Sequence, residues 1–140
     1  MQSLRVKSRF AFFAASAGLL LAGTVAPVYA HHSFAAEYDE AKPITLPGSV
    51  TKVDWMNPHA RFCIDVKDAA GNVFDWELEL GSPNGLAGSG WTRNSVKQGD
   101  EVSVDGYLAK AGSNLAGARY VKLADGRKLF AGSARFGPEE

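Results

Sequence analysis

The chain has a single cysteine, Cys63, among its 140 residues. An internal disulfide is therefore excluded, and the fold must hold by packing alone, even in an oxidising compartment. Net charge is lacking as well, since 15 basic residues face 15 acidic ones. A balanced chain has no general attraction for nucleic acid or an anionic lipid surface. Histidine is scarce, with only three: His31, His32 and His59. The N-terminus lacks a twin-arginine pair, and no cysteine follows its apolar run. The folded-protein export route and lipoprotein acylation are thus both unsignalled.

What the N-terminus does contain is a leader in three parts. MQSLRVKSR carries Arg5, Lys7 and Arg9 and no acid. From Phe10 the chain is almost wholly apolar, with Leu19, Leu20 and Leu21 at its centre. PVYA then sets Val28 and Ala30 at the small-residue positions a signal peptidase reads. A permanent anchor needs about 20 uninterrupted apolar residues, whereas Gly18, Gly23 and Thr24 interrupt this run. The layout predicts a cleavable signal peptide over 1–30, the general secretory route and a periplasmic product without a stable membrane span. Removing the leader leaves 12 basic against 15 acidic residues, a mildly acidic mature chain.

After a lead-in over 31–43, segments of period two alternate with turn signals. Ile44 to Trp55 is the first, and its apolar residues change parity between Val50 and Val53, which predicts a bulge near Thr51 and Lys52. Arg61 to Lys67 turns Phe62, Ile64 and Val66 inward. Val73 to Leu80 turns Phe74, Trp76, Leu78 and Leu80 inward and Asp75, Glu77 and Glu79 outward. Gly81 to Gly99 breaks the rhythm, with room for one helical turn at PNGLAG. There Leu86, Trp91 and Val96 are placed to cap a sheet core. Glu101 to Leu108 is a fourth strand, whose interior Gly106 signals curvature or close approach of another backbone. Ala118 to Leu123 and Lys128 to Ala131 follow, joined by the turn Asp125-Gly126. The pattern predicts an all-β domain over 44–136 with a frayed tail, 137–140. A small closed barrel of five or six strands, like the oligonucleotide/oligosaccharide-binding barrel, is the expected form, because closure removes both sheet edges. A small open β-sandwich is the alternative, and periodicity does not separate the two.

Taken together, HHSFAAEYD, VDWMNPHARF, WELELGSPNGL, GWTRNSVKQGDEVSVDGYLAKAGS and LADGRKLFAG resemble a family of small exported bacterial proteins of unknown function. The resemblance spans the mature chain and implies export and a single domain, but no activity. A looser similarity to small periplasmic barrels rests on turns that any antiparallel barrel needs. The histidine and tyrosine arrangement of a haem-carrying barrel is missing.

The histidines carry the one chemical clue. If cleavage falls after Ala30, His31 offers an α-amine and an imidazole that chelate one metal, and His59, just after the turn at Asn57-Pro58, supplies a third nitrogen. Such a set suits copper, for which imidazole is a preferred ligand. His32 replaces or supplements His59 in this reading. Cys63 is either a soft additional ligand or a small hydrophobe packed under the lead-in. The plainer reading makes the His pair a loose start and His59 a turn residue. Trp55 and Trp91 lie near strand ends, where they can line a rim. The row Asp75, Glu77 and Glu79 repels a phosphate backbone, so no nucleic-acid partner is expected. No catalytic constellation emerges from the residues. Three roles stay open: a periplasmic protein holding one copper ion, a module binding a partner protein or envelope component without metal, and a copper-dependent oxidoreductase. A patch built from Trp55, Trp91, Tyr107 or Tyr120 would favour the second.

Overall fold

The computed structural model of the chain describes residues 34–132. They belong to a compact unit spanning His32–Glu140, while the preceding unit, Met1–His31, lies outside the described residues. The expected signal peptide and the tail 137–140 lie outside them too. No helix among the described residues is long and apolar enough to cross a membrane.

One helical turn, α1 (Phe34–Glu37), leads into β1 (Tyr38–Asp54), and β2 (Arg61–Lys67) and β3 (Val73–Glu79) follow. A short helix, α2 (Pro83–Gly88), precedes β4 (Glu101–Ala109), β5 (Leu115–Lys122) and β6 (Lys128–Phe130). α2 coincides with PNGLAG. Ser82 caps it by accepting a hydrogen bond from the Gly85 amide, and Pro83 occupies the first turn, where its missing N–H costs nothing.

β1 is the spine of the sheet. It pairs with β2 on one side and β4 on the other, both antiparallel. Its ladder with β2 shifts between Val50 and Lys52, the bulge that the parity change predicts. Leu46 and Val50 are buried before the shift, and Val53 packs on the core after it. β1 begins at Tyr38, six residues before the expected Ile44, because Tyr38 pairs with Ala109 of β4 across a second irregularity. The exposed residues Glu40 to Pro43 hide that start from a hydropathy reading.

The expected closed barrel is overturned. The strands form one six-stranded sheet in the order β3-β2-β1-β4-β5-β6. β6 pairs with β5 alone, so a strand edge remains that closure would have removed. β3 reaches β5 through a parallel contact of three residue pairs, from Glu77–Leu115 to Glu79–Gly117. The open β-sandwich, with the sheet bent over one core, is the better description. Period two reports which face of each strand is buried, and it carries no information about the edges.

The core holds Phe62, Ile64, Leu78, Leu80, Val104 and Val121, all at most 3% exposed. Leu86, Trp91 and Val96 close one end of it, as expected. Phe74 departs from expectation. It lies 44% exposed beside exposed Val73, because the β2–β3 hairpin runs past the end of the core. β5 also starts earlier than expected, at Leu115, where the contact with β3 recruits three further residues.

Candidate functional site

Two neighbouring features lie at the end of the sheet where β1 turns into β2. The first is a corner built around His59. Its Nδ1 lies 3.0 Å from the Leu80 carbonyl oxygen, with the ring one-third exposed. A ring nitrogen facing a carbonyl must be the N–H that donates, so neutral His59 carries its lone pair on Nε2. Glu79 Oε1 lies 3.8 Å from the same Nδ1. The Glu79 carboxylate is only 10% exposed and accepts a hydrogen bond from Arg61 Nη2 at 2.8 Å. Arg61 Nη1 donates to Glu77 at 2.8 Å. Arg61 is thus shared by two carboxylates of the facing strand.

Tyr38 closes the corner from above. It is 1% exposed, and its hydroxyl is buried beside the Glu79 carboxylate. Burial, and then the charges of Glu79 and Glu37, push that hydroxyl far above the ordinary phenol range. The Phe34 ring stacks on Tyr38 at 4.6 Å between centroids.

Cys63 lies one outward position beyond Arg61, paired with Glu77 across the ladder. Burial, followed by the charges of Asp75 and Glu77, raises its thiol above the usual range. That shift disfavours the thiolate form, the one that binds metal. Among the described residues no three or more of His, Cys, Asp and Glu converge as a metal site. His31 and His32 lie outside the described residues.

The second feature is an apolar cleft beside that corner. Val53, Trp55, Phe62, Leu80, Trp91 and Val96 line a shallow apolar depression of about 10 Å³, room for no more than one water. Trp55 and Trp91 stand 6.4 Å apart with their rings inclined at 32°. The buried indole Nε1–H of Trp91 donates to the Phe130 carbonyl at 2.7 Å, which fixes the ring in the end of the core. Trp55 is half-buried, and Met56 next to it is 59% exposed. Arg61 and Arg93 flank the cleft. Tyr107 and Tyr120 take no part in it. Tyr107 meets Phe34 and accepts a hydrogen bond from Arg119, whereas Tyr120 packs on Phe130.

Sequence reasoning missed three participants. Glu79 reads as one of three solvated carboxylates, yet the β3–β5 contact and Arg61 enclose it. Tyr38 reads as lead-in. Arg93 falls in the irregular segment, where no period marks its direction.

An open β-sheet domain with an apolar cleft and a polar corner at one end is the class that these features define. The chain belongs to a family of unknown function, DUF6152, whose profile matches residues 11–118. The match takes in the motifs from HHSFAAEYD onward and ends within β5, so LADGRKLFAG lies outside it. No curated protein and no solved structure matches the chain.

Proposed function

We propose that this protein is an exported binding module that holds a partner protein at the Trp55–Trp91 cleft, by an apolar side chain of the partner set next to a carboxylate. The aromatic end of the sheet carries this reading: half-buried Trp55 stands on buried Trp91, with exposed Met56 beside it. Aromatic rings offer large contact areas at a low cost in side-chain entropy, and they dominate the energetics of such contacts. Met56 extends the apolar surface with a side chain that adapts its shape to what it meets. The charge at the rim selects the sign of the partner. Arg93 is exposed and forms no ion pair with any described residue, so it is available to a carboxylate. Arg61 is already held by Glu77 and Glu79 and offers the cleft mainly its aliphatic stem. The leader sequence supports an exported, periplasmic site of action.

Selection of displayed random peptides against the processed protein tests this. Selected peptides should carry an aliphatic or aromatic residue beside Asp or Glu. Trp55→Ala should abolish the enrichment, and Arg93→Glu should shift it away from acidic sequences. Peptides that bind both variants as well as the parent protein would dismiss the cleft as the docking site.

A further inference from the structure

We infer that the open cavity between the segment after α2 and the β5–β6 turn binds a phosphate group through Lys97 and Arg127. The inference goes beyond the aromatic end of the sheet and uses none of the residues placed there. The cavity measures about 280 Å³. Thr92, Asn94, Ser95 and Lys97 of the first segment line it together with Asp125 and Arg127 of the turn. Pockets of about 300–1,000 Å³ take a drug-sized ligand, so this one suits a smaller and more polar group.

The site holds charges of both signs, but its carboxylates are committed to the loops themselves. Asp125 accepts a hydrogen bond from the Arg127 amide at 3.0 Å through Oδ1 and another from Arg127 Nε at 2.8 Å through Oδ2. Those bonds, the backbone one first, hold its carboxyl below the ordinary range. Asp100 Oδ2 accepts from the Lys97 amide at 2.9 Å and closes the turn that leads into β4. The donors are not committed in the same way. Arg127 keeps both terminal nitrogens, since only its Nε meets Asp125. Lys97 is exposed and forms no ion pair with any described residue. The side-chain amide of Asn94 has no hydrogen-bond partner among the described residues either. Thr92 Oγ1 and Ser95 Oγ stand 3.3 Å apart, so one hydroxyl hydrogen joins the pair and the other is left to donate. One Asp100 oxygen remains against all of these donors.

The field around the cavity has the same sign. Over 92–100 and 122–127 the chain carries Arg93, Lys97, Lys122 and Arg127 against Asp100 and Asp125. That local excess of positive charge favours an anion. A phosphate monoester has about two negative charges and three acceptor oxygens at neutral pH. It can therefore take a guanidinium edge, an ammonium and an amide together, whereas a carboxylate has fewer oxygens to share among them.

The test is titration of the exported, processed chain with inorganic phosphate and with glycerol phosphate at constant ionic strength, followed by amide chemical shifts in nuclear magnetic resonance. Shifts at residues 94–97 and 125–127 should saturate, and acetate should leave them in place. Lys97→Gln and Arg127→Gln should each weaken binding by about tenfold or more, the loss expected of one charge-assisted hydrogen bond. Lys67→Gln removes the same charge from exposed β2 and should leave binding unchanged. Arg127→Lys serves if the glutamine variant loses the dispersed spectrum of a folded chain. Vesicles of phosphatidylcholine with phosphatidylglycerol separate the two sources of such a group. Co-sedimentation that glycerol phosphate displaces assigns it to a lipid headgroup, and no co-sedimentation assigns it to a soluble ester. Shifts that never saturate, an acetate response equal to that of phosphate, or an equal loss in Lys67→Gln overturn the inference. None of these results bears on peptide selection at Trp55.

Discussion

At Gly106 the backbone of β4 comes so close to β5 that an added Cβ would lie 2.2 Å from the Gly117 carbonyl oxygen. That neighbour is backbone and has nowhere to go. Gly106→Ala should therefore lower stability by about 1–3 kcal/mol, measured by urea unfolding. Gly117 faces the Phe34 ring instead, which a methyl group can push aside. Gly117→Ala should cost less and release the Phe34–Tyr38 stack, seen as a near-ultraviolet circular dichroism change; equal costs at both glycines would contradict this contrast. Trp91→Phe keeps the apolar wall but removes the indole donor to Phe130, a loss of about 1 kcal/mol. The raised Cys63 thiol has a kinetic signature as well. Its alkylation rate at pH 8 should lie below that of a free cysteine peptide and keep rising at higher pH, since burial, and then Asp75 and Glu77, oppose the thiolate. Full reactivity at pH 8 would refute that account.

Among the elements, β6 has the least holding it, with three residues and one partner strand. Lys128 ties it across β5 to Asp105 of β4 at 2.8 Å, and Thr45 of β1 donates to the same carboxylate. The Lys128 contact first, and then Thr45, hold the Asp105 carboxyl below the ordinary range. A carboxyl depressed in the folded chain adds stability above its unfolded value of about 3.9, and the gain is lost as pH falls through the lower folded value. Asp105→Asn should therefore flatten the acid limb of the stability curve below about pH 4 and leave its shape near neutrality unchanged. Hydrogen exchange should show β6 opening before β5 in the same variant. An acid limb identical to the parent's would mean that solvent screens the contact completely. β1 shows what an element's pattern can and cannot say. The change of parity between Val50 and Val53 located the bulge, whereas the start at Tyr38 depended on Ala109, a partner 71 residues away.

At the scale of the whole molecule, the turn after β1, the segment after α2 and the β3–β5 contact meet at one end of the sheet. The cleft and the His59 corner both form there. Trp55, half-buried near a strand end, is the rim residue its position implies, whereas Trp91 is 3% exposed and belongs to the core, so the two rings meet at 6.4 Å without forming the expected exposed patch. The tyrosines failed to join because Tyr107 and Tyr120 lie on β4 and β5, facing Phe34 and Phe130. His59 was legible as a residue placed by a turn. Its support from Leu80 and Glu79 was not, because both belong to the next hairpin strand and are brought in by register. Cys63 was legible by face, but the upward shift of its thiol depended on burial and then on the carboxylates of β3.

The sequence by itself determined the strands β2 and β4 nearly to the residue, the turn at Asp125-Gly126, the helical turn at PNGLAG and the inward faces of most strands. Each of these rests on local chemistry: side-chain alternation, a capping serine, a glycine free to adopt positive φ. Only the tertiary structure decided that the sheet keeps an open edge at β6, that Phe74 lies outside the core, and that Tyr38, Glu79 and His59 share a corner. Those outcomes depend on which strand edges meet. Pairing of edges is a property of residues far apart in the chain, and hydropathy along the chain does not record it.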